Sequence, residues 1–146
     1  MEKGKIHFVL SNSYLVFLFA VVFGVVFDII IPLDIFSGEA FQYVGLIMII
    51  LGSLLVYWAQ STSGNSKNKV GFENGPYKYL RSPTHFGLFV MTLGLALIIN
   101  SPFSVFFTVI AHIVTKLIFI KKEEKLLEEK YGEDYLNYKK KVKNHL

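Results

Sequence analysis

Residues 86–120 read FGLFVMTLGLALIINSPFSVFFTVIAHIVTKLIFI, two apolar runs joined by Asn100, Ser101 and Pro102. Long apolar runs predict membrane helices, and a proline after two polar residues predicts a tight turn between them. The first run, Phe86–Ile99, holds 14 residues. At 1.5 Å per residue it is about 21 Å long, less than the roughly 30 Å of a hydrocarbon core. The stretch therefore predicts a helical hairpin whose shorter arm is completed by its flanks.

Two earlier apolar runs are each long enough to span a membrane. The first begins near Ser13, which we expect to cap the helix, and ends before Pro32. The second carries Gly45 and Gly52, small residues that allow neighbouring helices to approach closely. The predicted fold class is therefore all-α, a single membrane domain over residues 1–146 with four membrane helices. Those helices are predicted over about residues 13–31, 40–59, 84–99 and 103–120.

The composition agrees with a membrane protein, since 53% of the residues are hydrophobic, 14 are Phe and the mean hydropathy is +0.47. The absence of cysteine excludes disulfides, thiolate metal sites and cysteine nucleophiles. The formal net charge is +4, but the basic residues flank the apolar runs instead of forming a basic domain. We therefore expect neither a nucleic acid partner nor a metal site.

Basic residues are distributed unevenly among the predicted connections. They occur in the N-terminal flank, in the tail, and in the polar loop predicted over Gln60–Lys69 with the segment after it. The two opposite connections, about residues 32–39 and 100–102, contain no Lys or Arg. Cytoplasmic flanks retain such residues, so we expect both termini to be cytoplasmic in a multi-pass protein of an inner cell membrane. Asp28, near the outer end of the first helix, is expected to reach the interface or to pair inside the bundle.

The tail, residues 121–146, is strongly charged and predicted to be helical and amphipathic. A first helix is predicted over Lys121–Lys130, with a break at Gly132 and a second short helix after it. The apolar side of the second helix carries residues spaced by three and four, namely Tyr135, Tyr138 and Val142. We expect these helices to lie on the membrane or to fold back as a lid.

A polar stripe is predicted along the fourth membrane helix. Thr108, His112, Lys116 and Glu123 follow one another at steps of four and seven residues, which keeps them within a narrow arc of one face. Polar side chains at this depth usually face a bundle interior or a water-filled cavity. The alternative is that Lys116 extends to the nearby membrane interface.

Two further groups have the chemistry of a binding site. Arg81 precedes Pro83, which fits the first turn of a helix, and the guanidinium and the free amides there form a receptor for a carboxylate or phosphate. Arg81 is equally suited to anchor a lipid headgroup. The adjacent Glu123 and Glu124 can bind an amine or sulfonium cation, or form ion pairs with nearby lysines.

Taken together, these groups resemble the isoprenylcysteine carboxyl methyltransferase and phospholipid methyltransferase superfamily. The resemblance covers roughly the C-terminal half of the chain. The family's usual motif is Arg-His-Pro-x-Tyr-x-Gly, followed later by paired acids. Arg81, Pro83 and Gly87 match it, whereas Ser82 replaces the usual His and His85 replaces the usual Tyr. The matching residues, including those of the tail, are the run 75–87, Glu123, Glu124, Leu127, Tyr131, Gly132, Tyr135, Tyr138 and Val142.

The resemblance implies methyl transfer from S-adenosylmethionine, in a pocket at the cytoplasmic ends of the last membrane helices. The expected partners are membrane lipids and a lipophilic or small-molecule methyl acceptor, and the oligomeric state is left open. The residues implied for catalysis are Arg81, His85 and Glu124. The residues implied for cofactor binding are Tyr77, Arg81, Thr84, His85, Gly87, His112, Lys116, Glu123 and Glu124.

Two alternatives remain open on the sequence. A non-catalytic membrane or lipid-binding homologue is suggested by Ser82, which stands where the family has His. A relative of the membrane sterol reductases would use NADPH and resembles this C-terminal region, but the chain is short for it and shows no separate dinucleotide fingerprint.

Overall fold

The computed structural model describes residues 2–65 and 75–142, and within them the chain is helical without strands. The predicted all-α class is confirmed for these residues. The helices are α1 (Glu2–Ile30), α2 (Glu39–Asn65), α3 (Pro83–Ile98), α4 (Pro102–Val114), α5 (Lys121–Tyr131) and α6 (Glu133–Lys141). A 3-10 turn, Gly75–Lys78, lies before α3, and a π-helical segment, Thr115–Ile120, joins α4 to α5.

Three apolar helical segments are long enough to cross a membrane, while α3, with 16 residues, is shorter. The outward faces of the long segments expose large apolar side chains, such as Leu18 (58%), Leu51 (58%) and Phe106 (59%). Apolar surface of this extent is stable against lipid and not against water. The chain is therefore a multi-pass membrane protein. The three long segments are Ser11–Ile30, Glu39–Thr62 and Pro102–Tyr131.

The predicted start of the first helix is wrong. α1 begins at Glu2, so Ser13 lies about three turns inside the helix instead of capping it. Ser13 is fully buried, and its hydroxyl has a partner on α3 that no local sequence pattern reveals. A serine inside a helix is tolerated when its hydroxyl is bonded in this way.

The predicted loop over Gln60–Lys69 begins too early, because α2 continues to Asn65. The hydroxyls of Ser61 and Thr62 donate to the Trp58 carbonyl oxygen one turn back, at 3.0 and 2.9 Å. These bonds accommodate polar side chains without ending the helix. The remainder of that loop, with Lys67 and Lys69, lies outside the described residues, as does the end of the tail, residues 143–146.

Two pairs of glycines bring α2 and α3 into close contact. Gly45 faces Gly94 and Gly52 faces Gly87, and each helix thus repeats the contact after seven residues. A Cβ added at Gly45 would lie 2.5 Å from the carbonyl oxygen of Gly94, and one at Gly87 would lie 2.9 Å from that of Gly52. The close approach predicted for Gly45 and Gly52 is confirmed, and the seven-residue repeat keeps the seam on one face.

The face of α1 that meets α4 is built largely from small side chains. Gly24 packs directly on Ser104, whose hydroxyl donates to the carbonyl oxygen of Val21 at 3.2 Å. Farther along, a buried apolar cluster is formed by Phe17, Ala20 and Ala111. Ser13 lies on the same face of α1, one turn from Phe17. This face therefore continues toward the start of α3.

Asp28 joins α1 to the beginning of α4. Its carboxylate accepts from the hydroxyl of Ser101 and from the amide of Phe103, the latter at 3.4 Å. A negative charge is favourable at this end of a helix. Asn100, in the left-handed region with φ 51°, accepts from the amide of Phe36 at 2.7 Å. Asp28 is therefore paired within the protein at the end of α1, and its position at the membrane interface stays a prediction.

Gly52→Leu should destabilise the protein by about 1–3 kcal/mol, because an overpacked seam forces α2 and α3 apart. A Cβ added at this position would lie 2.6 Å from the carbonyl oxygen of Gly87, before any larger side chain is considered. The measurement is thermal unfolding of purified protein in detergent. Gly38→Leu is the matched control, because its Cβ would lie 3.6 Å from the nearest atom of Phe41. Equal unfolding temperatures for the two variants would contradict the tight seam.

Candidate functional site

The ring of His85, in the first turn of α3, is completely enclosed, with a relative exposure of 0%. Its Nδ1 lies 3.2 Å from Oγ of Ser13 on α1, and its Nε2 lies 2.9 Å from Oε2 of Glu123 on α5. An N–H group at Nε2 can donate to this carboxylate, which accepts through its oxygen. One imidazole therefore connects three helices.

The start of α3 presents backbone amides without helical partners. Pro83 occupies the first helical position, and Ser82 makes no side-chain cap. The amide of Phe86 is the first to bond back, to the carbonyl oxygen of Ser82 at 3.2 Å. Thr84 and His85 precede Phe86, so their amides have no acceptor one turn back within the helix. Such amides at the start of a helix attract anions. Both residues are buried.

Arg81 holds the end of α6. Its Nε donates to the carbonyl oxygen of Val142 at 2.6 Å, and its Nη2 donates to that of Lys139 at 2.5 Å. A cation bonded to the last carbonyls of a helix is favourable, because negative partial charge collects there. The third nitrogen, Nη1, lies 3.6 Å from Oε1 of Glu124. The guanidinium thus joins the segment before α3 to both tail helices.

Glu124 belongs to a charged group that ties α5 to α6. Its Oε2 lies 3.1 Å from Nζ of Lys139, which also bonds Oε1 of Glu128 at 2.7 Å. The hydrogen bond to Glu128 is the main reason that the pKa of Lys139 is raised. In contrast, Oε1 of Glu124 is buried and has no hydrogen-bond partner among the described residues. This carboxylate oxygen can therefore still accept a hydrogen bond from a ligand.

A small aromatic core forms where α6 folds back on the 3-10 turn. The phenol of Tyr138 donates to the carbonyl oxygen of Tyr77 at 2.5 Å. The buried members of this core are Tyr135, Tyr138 and Val142, packed against Tyr77, Leu127 and Tyr131. We call this core, with the bonds of Arg81 and Lys139, the tail clasp. The apolar side predicted for the second tail helix is the side that is buried.

The polar stripe predicted along the fourth helix is only partly continuous. Thr108 is buried and its Oγ1 lacks a partner among the described residues. His112 stacks on Phe89, with 4.1 Å between ring centroids, and its buried Nδ1 is likewise unpaired there. The π-helical segment, with a half-buried Lys116, follows and has wider turns than an α-helix. Glu123, beyond this segment, lies against His85, and its alignment with His112 and Lys116 on one face stays a prediction.

The structure brings four of the predicted site residues together at one end of the bundle: Arg81, His85, Glu123 and Glu124. Tyr77 joins them through the tail clasp. Gly87 instead packs against Gly52 of α2, and His112 lies one turn deeper, beside Phe89. The sequence predictions missed Ser13 and Lys139. Ser13 shares its helix face with Phe17, Ala20 and Gly24, a spacing that could have indicated its burial.

The helical bundle defines a multi-pass membrane protein, and the charged cluster at one of its ends is a candidate binding site at the start of α3. Residues 41–134 match the family model of the phospholipid methyltransferases. Since this segment is more than half of the chain, the protein belongs to the phospholipid methyltransferase family. No solved structure matches it.

Several relatives are protein-S-isoprenylcysteine O-methyltransferases. The protein of Xenopus laevis is 29% identical over 109 residues, 68% of this chain and 38% of the relative. That of Dictyostelium discoideum is 29% identical over 110 residues, 68% of this chain and 46% of the relative. A probable member from Oryza sativa subsp. indica is 29% identical over 118 residues, 72% and 60% of the two chains. The aligned region is therefore only about half the length of these relatives.

The tail clasp should open in alkaline solution. Burial is the main cause that raises the pKa of Tyr135 and of Tyr138 above the ordinary value for a phenol. A raised pKa in the fold means that the stabilisation is complete below the unfolded value of about 10 and is lost as the pH rises above it. Lys139, whose pKa is also raised, contributes with the same sign.

Tyrosinate absorbance during an alkaline titration measures this opening. The two buried tyrosines of the clasp, Tyr135 and Tyr138, should ionise late, together with the release of α6. Tyr138→Phe should remove the contribution of Tyr138 to this late phase and leave that of Tyr135, whereas Tyr57→Phe, which removes an exposed phenol outside the clasp, should leave the late phase unchanged. A late phase that survives Tyr138→Phe unchanged would contradict the assignment.

Proposed function

We propose that this protein is an integral membrane methyltransferase that uses S-adenosylmethionine to methylate a lipophilic or small acceptor at the cytoplasmic face. The observation that carries the proposal is the meeting of the family-motif residue Arg81 with Glu124, beside the His85–Glu123 pair. These residues come from two segments about forty residues apart in a chain of the phospholipid methyltransferase family.

The polar groups at the site fit the amino-acid end of S-adenosylmethionine, which carries an ammonium and a carboxylate. The buried Oε1 of Glu124, without a hydrogen-bond partner among the described residues, complements the ammonium. The amides at the start of α3, near Thr84, complement the carboxylate. Nη1 of Arg81 adds positive charge, although its other nitrogens hold the tail. A charged ligand thus has a partner for each of its charges.

S-adenosylmethionine, when bound, supplies a methyl group on a sulfonium for in-line displacement by the acceptor. Positioning and electrostatics contribute much of the acceleration in such reactions. In this proposal Glu123 and Glu124 hold the ammonium, Arg81 and the amide of Thr84 hold the carboxylate, and the tail clasp excludes water. The enclosed His85 acts through Glu123. Residues proposed to complete the cofactor site are Tyr77, His112 and Lys116, while Gly87 supports the site through the seam with Gly52.

The acceptor is proposed to reach the site from the bilayer. The site lies at the end of apolar helices that expose large side chains, so a lipid chain can remain in the membrane while its polar end reacts. The names of the relatives make a prenylated cysteine one candidate, and the family name makes a phospholipid another. Both keep their reacting group near the membrane surface.

The proposed topology has four membrane crossings in one domain, with both termini cytoplasmic, in an inner cell membrane. α3 is included because it packs along α2 through the glycine seam and because its first turn, with Thr84 and His85, is buried. The tight connection at Asn100 and the one over residues 31–38 contain no Lys or Arg, which supports an external position for both.

Single cysteines introduced into this cysteine-free chain should report the topology. Ser37→Cys, in the exposed connection before α2, should react with a membrane-impermeant maleimide applied to intact cells. Asn137→Cys, exposed on α6, should react only after the membrane is permeabilised. The reverse pattern, or equal labelling of both in intact cells, would contradict the orientation.

Glu124→Gln should weaken binding of S-adenosylhomocysteine about 10- to 100-fold, because a charge-assisted hydrogen bond contributes about 1.5–3 kcal/mol. The measurement is calorimetric titration of the purified protein in lipid nanodiscs. Glu129→Gln, at an exposed position of α5, is the matched control and should bind as the unchanged protein does.

Failure of the unchanged protein to bind S-adenosylmethionine or S-adenosylhomocysteine would contradict the proposed function. Saturable binding of NADPH in the same assay would instead favour the reductase-like alternative. Equal affinities for Glu124→Gln and Glu129→Gln would remove Glu124 from the cofactor site.

A non-catalytic, lipid-binding homologue is the second candidate. The specific observation in its favour is that two nitrogens of Arg81 donate to carbonyl oxygens at the C-terminal end of α6, as a purely structural arginine would. This candidate predicts that Arg81→Ala speeds proteolysis of the tail in a protein that never binds S-adenosylhomocysteine. The methyltransferase proposal predicts that it also weakens that binding.

A further inference from the structure

A cleft lies at the end of the bundle opposite to His85. It opens between the last turns of α1 and the connection from α3 to α4, and its volume is about 220 Å³. Asp28, in its wall, follows Ser13, which contacts His85, by 15 residues of α1, or about 22 Å of helix. The cleft is therefore separate from the candidate functional site. Its lining residues are Val25, Asp28, Ile29, Ile99 and Ser101.

Asp28 is the charged group of this cleft. Its two oxygens accept from the hydroxyl of Ser101 and from the amide of Phe103. A carboxylate has about four lone-pair positions, so these two bonds leave room for a further donor. Ionisable side chains in membrane helices are rare and commonly mark sites for ligands or ions. Asp28 can therefore accept from a ligand while it still holds the start of α4.

Among the described residues, this end of the bundle has no Lys or Arg to pair with Asp28. The sequence has neither within residues 6–66 or 82–115, which include all walls of the cleft. Ion pairs are found at the other end, such as that of Nζ of Lys139 with Oε1 of Glu128 at 2.7 Å. A cation from outside the chain therefore complements this carboxylate.

The remaining walls of the cleft are mainly aliphatic and open toward the lipid. Ile29 is 76% exposed and Ile99 is 43% exposed. They adjoin further exposed apolar side chains of α1, such as Ile30. Surface of this kind is stable against hydrocarbon chains. A ligand that matches the whole cleft thus has a cationic head and an apolar tail.

We propose that the cleft binds a membrane lipid whose head carries an ammonium group. The ammonium donates to the carboxylate of Asp28, and the lipid chains lie along Ile29 and Ile99. A primary ammonium suits the site because it has N–H donors for the oxygens of Asp28. This lipid site goes beyond the proposed function, and it depends neither on the reaction nor on the orientation of the chain in the membrane.

Native mass spectrometry of the purified protein, titrated in detergent with phosphatidylethanolamine, measures the lipid that stays bound. Asp28→Asn should raise the dissociation constant for one phosphatidylethanolamine about tenfold, because a charge-assisted hydrogen bond is lost. Binding of phosphatidylglycerol, whose head has no ammonium, should be unchanged. Lipid held at the His85 end is held by both proteins, so it does not contribute to the difference.

Asp34→Asn is the matched control. It removes an exposed carboxylate of the same end that accepts from Asn100 at 2.6 Å and lies outside the cleft. This variant should bind phosphatidylethanolamine as the unchanged protein does. Ile99→Trp, which fills the cleft and keeps the carboxylate, should weaken binding as Asp28→Asn does. Because it leaves the bonds of Asp28 to α4 in place, its effect does not come from a loosened helix start.

Phosphatidylethanolamine binding that either Asp28→Asn or Ile99→Trp leaves unchanged would overturn the proposal. An equal loss in Asp34→Asn, or an equal loss of phosphatidylglycerol, would overturn it as well. All three variants should bind S-adenosylhomocysteine as the unchanged protein does. A protein that never binds this compound but still shows the effect of Asp28 on the lipid would contradict the proposed function and leave the lipid site standing.

Discussion

The contacts of the enclosed imidazole of His85 are the ones on which the charged end of the bundle depends. It bonds Ser13 on one side and Glu123 on the other, so α1, α3 and α5 cannot move independently there without leaving a buried nitrogen unpaired. An unpaired polar group in such surroundings costs about 1–3 kcal/mol. The position of the acidic pair that starts α5 is therefore set from inside the bundle.

The tail adds a second constraint from the opposite side. Arg81 bonds the last carbonyls of α6, and Lys139 joins that helix to Glu124 and Glu128 of α5. Glu123 is thus held by the bundle and Glu124 by the tail, although the two residues are adjacent in the chain. A ligand placed between them would respond both to helix packing in the membrane and to docking of the tail.

Sequence patterns predicted much of this architecture. The apolar runs indicated the membrane helices, the glycines of α2 indicated a close seam, and the spacing of the tail tyrosines indicated its buried side. The predictions failed where partners are distant in sequence. Ser13 looked like a helix cap because serine before an apolar run usually is one, and its true partner follows 72 residues later. The stripe toward Glu123 assumed regular α-helical turns, which the π-helical segment does not provide.

By itself, the sequence determined the membrane class, the helical content and the residue types of the site, because hydrophobic length and spacing act locally along the chain. Tertiary structure alone decided which partner each polar group takes. Arg81, expected to face an anionic ligand, gives two nitrogens to the tail, and Asp28 turned inward to the start of α4. Such choices depend on which groups the packed helices place within hydrogen-bonding distance, because most buried polar groups in proteins are hydrogen-bonded and leaving one unpaired costs free energy.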